Sequence, residues 1–254
     1  MEGKVKMIIL HPEPYARQVA LPQIGLRGQG RLANATVVIV GCGGLGTVSA
    51  ELLARAGVGH LRLVDDDCVE LVNLVGQTLF VDQDARTGRP KVLAACRELR
   101  RLNPSIAIEP VVAHLRARNA GRLLAGADLV LDGTDNDAAR CLINRVCVRQ
   151  GIPWIYAGVL ESYGLTMNIV PGETPCFACI FGRPGHRYRT NCATVSLAAA
   201  THVVASLQVG QALRLLLKDD GYTRGLTYVD AWAPCLEVLP VQAPPAGCPV
   251  CGRK

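Results

Sequence analysis

The chain has 254 residues, half of them hydrophobic and 19% charged, enough apolar material to bury an α/β core in one large domain or two small ones. A formal charge of +6 is spread along the chain without basic runs, so nucleic-acid binding does not follow from it. The one early apolar run, Met7-Ile-Ile-Leu10, is too short for a secretion signal or membrane span and is followed at once by His11-Pro12, so a cytoplasmic location without membrane contact is expected. In that compartment the eleven cysteines are free thiols or metal ligands rather than a disulfide scaffold.

Residues 1–35 read as an N-terminal arm with helical stretches at 15–19 and 26–33. The β-branched run 36–40 has the pattern of a strand buried on both faces. After it come Gly41-Cys-Gly-Gly-Leu-Gly46 and a helix to residue 56, then a strand over 61–64 that ends in Asp65-Asp66-Asp67. A helix over 90–102, a strand over 106–111, a strand over 127–131 ending in Asp132-Gly-Thr-Asp-Asn136, and a helix over 137–150 follow. This alternation predicts a Rossmann-like, mostly parallel α/β sheet with crossover helices. Beyond Pro153 the strands 154–159 and 165–170 are separated by only a short turn, which predicts an antiparallel C-terminal extension. A long apolar helix over 194–217 and closing strands at 225–231 and 236–241 complete the reading.

A glycine-rich turn between strand and helix places backbone N–H groups and the helix dipole where a phosphate can sit. Asp65, at the end of the next strand, is placed to accept hydrogen bonds from a ribose, and on these features alone a dinucleotide-dependent oxidoreductase is the default. Lys91 behind Gly88-Arg-Pro90, Asp135 after the fourth strand and Arg17 in the arm tilt the reading toward ATP. A lysine there can reach phosphates, and an aspartate there can hold a magnesium ion. Each also has a plainer reading, as a solvated surface charge or a helix cap.

Cys176-Phe-Ala-Cys179 and Cys248-Pro-Val-Cys251 form two C-x-x-C pairs, the ligand set of a four-sulfur zinc site. The alternative is two unrelated redox or disulfide pairs. Cysteines 42, 68, 96, 141, 147 and 235 fall mostly in apolar stretches and read as small core residues. Trp154-Ile-Tyr156 reads as core strand, His186 as a loop residue and His202 as a packed helix residue.

Residues 15–254 resemble the ThiF/MoeB/HesA family of ubiquitin-activating-type adenylyltransferases. The stretches that carry the resemblance are Tyr15-Ala-Arg-Gln18, Val40-Gly-Cys-Gly-Gly-Leu-Gly46, Ala56-Gly-Val-Gly59, Val64-Asp-Asp-Asp67, Val72-Asn-Leu74, Gly88-Arg-Pro-Lys91 and Leu131-Asp-Gly-Thr-Asp-Asn136, with the two cysteine pairs. The resemblance implies one adenylation domain over 36–254, with a nucleotide-binding half (36–150) and a carrier-binding and zinc half (151–254). It implies ATP-driven adenylation of the C-terminal glycine carboxylate of a ubiquitin-like sulfur carrier protein ending in Gly-Gly, with a separate sulfurtransferase as sulfur donor. By the same carry-over Gly41, Gly43, Gly44 and Gly46 cradle ATP, Asp65 takes its ribose, Asn73 and Lys91 contact its phosphates, and Asp67 and Gln77 belong to the same cofactor site. Asp135 would bind magnesium, and Arg17 would reach the neighbouring subunit's phosphates, which implies a homodimer. Cys192 matches the place of a family cysteine that takes over the acyl group; an arginine-rich loop would favour its thiolate, and the plainer reading is an incidental cysteine.

One departure stands out. The family reads Asn-Leu-x-Arg-Gln where this chain has Asn73-Leu-Val-Gly-Gln77, so an arginine on the triphosphate is replaced by Gly76. Losing one preorganised donor typically costs about 2.7–4 kcal/mol in the transition state. Arg86 or Arg89 would have to supply the charge, or Gly76 makes room for another substrate. The rival readings are adenylation of a small-molecule or peptide carboxylate, a non-catalytic partner subunit, and an NAD-dependent oxidoreductase.

Overall fold

In the computed structural model the described residues are 13–182, 196–242 and 247–252. The arm carries the short helix α1 (Ala16–Val19) and the amphipathic α2 (Gly25–Asn34). The chain then runs through β1 (Thr36–Val40), α3 (Gly44–Arg55), β2 (His60–Asp65), a 3-10 turn over Leu71–Val75, α4 (Asp82–Thr87) and α5 (Lys91–Leu102). It continues with β3 (Ala107–Val112), α6 (Ala117–Leu124), β4 (Leu129–Asp132) and α7 (Asp137–Gln150). The C-terminal half has β5 (Trp154–Leu160), β6 (Tyr163–Ile169), α8 (Phe177–Phe181), α9 (Ala198–Leu217), β7 (Leu226–Asp230) and β8 (Cys235–Leu239).

All eight strands form one sheet in the order β3-β2-β1-β4-β5-β6-β7-β8, parallel through β5 and antiparallel from β5 onward. The β-branched run in β1 shows why. Val37 and Ile39 enter one apolar layer and Val38 and Val40 the other, so both faces of the strand are buried. The first layer is covered by α3, α5 and α9, the second by α6, α7 and α8. β2 and β4 lie on opposite sides of β1, so the chain leaves β1 in one direction and returns in the other, opening a crevice at the carboxyl ends of β1 and β4. Beyond that crevice β4 stops at Asp132, while β5 runs on to Leu160.

The expected elements are found, with the following differences. The short helices α4, α6 and α8, of six, eight and five residues, are too brief to display a sustained 3.6-residue period. The long helix begins at Ala198; Ser196 instead bridges to Glu161, and the Leu197 N–H donates to the Glu161 carbonyl. Cys42, Cys96 and Cys147 are core residues, but Cys68 is exposed and Cys235 half-buried beside the β7–β8 turn. Cys68 points away from the core although its neighbour Val69 is buried, and Cys235 lies on the edge strand β8. Trp154 and Tyr156 are buried as expected. Among the described residues no helix is long and apolar enough to cross a membrane.

Candidate active site

A cleft of about 570 Å³ opens at the carboxyl ends of β1, β2 and β4. Its floor is the glycine turn. Gly41 has φ +93°, and a Cβ there would lie 2.4 Å from the Gly133 carbonyl oxygen. A Cβ on Gly46 would lie 1.9 Å from the Gly41 carbonyl oxygen, so this glycine lets α3 close onto the turn. Gly41, Gly43 and Gly44 line the cleft, while Gly46 lies behind it.

Asp65 ends β2 as an organiser of two turns. Its carboxylate accepts from the Cys42 N–H at 2.6 Å and the Asp67 N–H at 2.8 Å, while burial pushes its pKa up. The first bond ties the acidic turn to the glycine turn. Lys91, at the start of α5, has a side chain only 10% exposed and donates from Nζ to Asp67 Oδ2 at 2.9 Å. Asn73 lies in the 3-10 turn and accepts the Glu70 N–H on its Oδ1 at 2.9 Å. Gln77 has a buried Oε1 with no hydrogen-bond partner, the mark of a polar atom left for a ligand. Asp135 is exposed on the opposite wall, its Oδ1 touched only by Asn136 Nδ2 at 3.3 Å.

Arg17 is not in this cleft. Its neighbours Tyr15 and Gln18 fasten the arm to its own protomer. Gln18 Nε2 donates to Gln29 Oε1 and to the Ala56 carbonyl, and Asn103 Nδ2 donates to the Tyr15 hydroxyl. The Tyr15 ring packs where a Cβ on Gly57 would stand, leaving Arg17 exposed. Cys192, His186 and the loop arginines fall outside the described residues. Gly76 has φ −129°, open to any residue, and a Cβ there would meet only Ala198 Cβ at 3.9 Å. Neither Arg86 nor Arg89 replaces the missing cation: Arg86 pairs with Asp82, Arg89 lies 4.0 Å from Asp84, and neither lines the cleft.

The structure also brings in groups that the sequence reading did not single out. Arg140 of α7 lines the cleft although its side chain is only 2% exposed, and His114 lines it while its Nδ1 lies 3.1 Å from Asp66. Both sit on helix or loop positions where a lone cation reads as surface charge, and no local signal betrays them. The resulting electrostatics are lopsided. Among the described residues, Asp65, Asp66, Asp67, Glu70 and Asp135 line the cleft, against Lys91 and Arg140, which are already paired with carboxylates.

The four cysteines of the two C-x-x-C pairs converge. Their Sγ atoms are 3.7 Å apart for Cys176 and Cys179, 3.8 Å for Cys176 and Cys248, and 3.3 Å for Cys179 and Cys251. A tetrahedral ion with bonds of about 2.3 Å to sulfur separates its ligands by about 3.8 Å, so the donor set fits zinc. Asn144 of α7 donates from Nδ2 to Cys176 Sγ at 3.4 Å and accepts the Phe177 N–H at 3.1 Å, orienting the first pair from outside.

Comparison with known proteins agrees with this geometry. The model of the ThiF family matches residues 15–250. The SAMP-activating enzyme E1 of Haloferax volcanii is 38% identical over 242 residues, covering 94% of this chain and 88% of that protein. The sulfur carrier protein ThiS adenylyltransferase of Bacillus subtilis is 37% identical, with 94% of this chain and 71% of that protein covered. Among solved structures, E. coli MccB with ATP superposes with a TM-score of 0.78 at 26% identity, covering 89% of this chain and 69% of that one.

Proposed function

Because the chain belongs to the ThiF family, we propose that it is an ATP-dependent adenylyltransferase acting on the C-terminal glycine carboxylate of a ubiquitin-like sulfur carrier protein. Two of the similar proteins are named as adenylyltransferases of a sulfur carrier protein and a third as an activating enzyme. A carboxylate oxygen attacks the α-phosphorus, the bond to the bridging oxygen of the β-phosphate breaks, and acyl-adenylate and pyrophosphate form. Such a reaction needs positioning and charge neutralisation rather than a covalent protein group.

The observation that carries the assignment of roles is the excess of carboxylates in the cleft. A polyphosphate cannot enter it without added positive charge. Asp135, exposed and held by one long bond from Asn136, is the residue to hold Mg²⁺, and Arg17, exposed on a fastened arm, is the cation to enter from a second copy. Gly41, Gly43 and Gly44 receive the phosphates, Asp65 the ribose, and Lys91, Asn73 and Gln77 the triphosphate side. Zn²⁺ occupies the Cys176, Cys179, Cys248 and Cys251 cluster and holds the 151–254 half together. Residues 36–254 act as one adenylation unit, in the cytoplasm, with a separate sulfurtransferase supplying sulfur. Cys192 is a candidate acyl acceptor.

ATP–pyrophosphate exchange that depends on a Gly-Gly-ended carrier tests the substrate. Exchange with a short peptide carboxylate but not the carrier would favour a second reading, motivated by the open space at Gly76. Absence of exchange with either, despite ATP binding, would leave a non-catalytic partner role. The trans role of Arg17 has its own test. Arg17→Ala and Asp135→Ala subunits, inactive alone, are expected to regain about a quarter of wild-type exchange when mixed, because half the dimers are hybrid and carry one intact site. No recovery in verified hybrid dimers would place Arg17 outside the neighbouring site.

A further inference from the structure

Where β4 ends at Asp132, the sheet loses the neighbour that would satisfy the next carbonyls of β5. Two buried side chains take over from opposite faces. From α9, Gln208 Nε2 donates to the carbonyls of Asp132 at 2.9 Å and Ile155 at 3.0 Å, while its Oε1 accepts the Ser49 hydroxyl at 3.0 Å. From α7, Arg140 Nη2 reaches the Ala157 carbonyl at 3.4 Å. Its other bonds go to the end of β4, the loop that follows and the start of α7. Nε donates to Asp132 Oδ2 at 3.1 Å, Nη1 to Asp137 Oδ1 at 3.1 Å and Nη2 to the Thr134 carbonyl at 2.9 Å. The guanidinium carbon lies 5.2 Å from the centre of the Tyr156 ring. On its other oxygen, Asp132 accepts the Thr134 N–H at 2.9 Å and hydroxyl at 2.7 Å.

Arg140 and Asp132 therefore hold Thr134 from both its carbonyl and its N–H, and the next residue is Asp135. A lysine ammonium is a point charge and cannot span four elements as this planar fork does. Gly133 of the same loop abuts Gly41, so the brace also sets the distance between the Asp135 wall and the glycine floor. We infer that Arg140, through Asp132 and Thr134, is a positioning residue that fixes Asp135 for metal–nucleotide binding. The inference rests on Asp135 being the magnesium ligand.

The test is calorimetric titration of ATP at a series of Mg²⁺ concentrations, with thermal unfolding measured beside it. Arg140→Lys is expected to raise the Mg²⁺ concentration at half-maximal binding about tenfold, the loss typical when a partner of a metal ligand is removed. Ile143→Ala, one turn along the same helix and fully buried, controls for lost stability alone and should leave the Mg²⁺ midpoint unchanged. Thr134→Ala removes only the hydroxyl bond to Asp132 Oδ1 and keeps both backbone bonds, so a smaller shift in the same direction is expected. An unchanged midpoint in Arg140→Lys, or in Asp132→Asn should the lysine variant not fold, overturns the proposal. A shift equal to that of Ile143→Ala reduces Arg140 to a stabilising residue. Wild-type binding that is indifferent to Mg²⁺, or to Asp135→Ala, fails at a different point and overturns the assignment of Asp135 itself.

Discussion

Asp135→Ala is expected to lower carrier-dependent ATP–pyrophosphate exchange by about a hundredfold to a thousandfold and leave the thermal midpoint in place. The two halves of this expectation have separate causes. Asp135 is exposed, and the side-chain contact described above, to Asn136, is long, so its removal strands no buried group and opens no cavity. Chemically it is the carboxylate on the wall facing Lys91 with no basic partner among the described residues, and in an acid-rich cleft it is the natural seat for a divalent ion. A loss of exchange accompanied by a fallen midpoint would instead mean that the loop is structural. Retained exchange would move the metal toward Asp65, Asp66 and Asp67, whose oxygens lie within 4.8 Å of one another.

Removing the ion from the cysteine cluster is expected to be the most destabilising single change. With zinc bound, residues 248–251 are tied to the pair that begins α8, and α8 packs Phe177 and Phe181 against Trp154 and Tyr156 of β5. Cys176 and Cys248 belong to the same apolar layer as α7. Without an ion, thiols at contact distance must share protons or separate, and the aromatic layer loses its cover. A loss of about 3–5 kcal/mol is expected, as for other buried polar networks broken at one member. In a chain of this size that is roughly 10 °C in thermal midpoint. Unfolding scans with and without a chelator, and of Cys248→Ser, measure it; metal analysis should give one zinc per chain. A midpoint unmoved by full zinc removal would sink the structural role. Redox-active pairs would instead shift their midpoint with a thiol reductant and bind no metal.

What the sequence made legible follows from the range of the signals. The run at 36–40, the helix at 137–150 and the antiparallel turn after residue 160 are local patterns, and the structure has them at or within a residue or two of the expected places. Lys91 and Asp135 were visible because they sit at fixed offsets from strand ends. What Lys91 touches was not: its Nζ lies on Asp67, 24 residues earlier, and only the fold brings the two together. The same holds for Arg140. Its partners come from β4, the following loop, its own helix and β5, so along the sequence it looks like any helix arginine. Gly76 could be seen as a departure, but only the structure shows that its backbone would accept a side chain and that Arg86 and Arg89 are engaged elsewhere.

The fastened arm bears on how this protein would assemble. Tyr15, Gln18, Gln29 and Asn103 order residues 15–18 within one protomer, before any second copy arrives. Under the proposed role of Arg17, association would have little loop-ordering entropy left to overcome, since the arginine would arrive on a segment already fastened. Folding and pairing become separable events. A protomer diluted below its self-association constant would keep its native fold and its nucleotide cleft yet lack the visiting cation, so turnover per chain would depend on protein concentration where thermal stability would not. A protein built this way carries a reading of its own abundance in its specific activity.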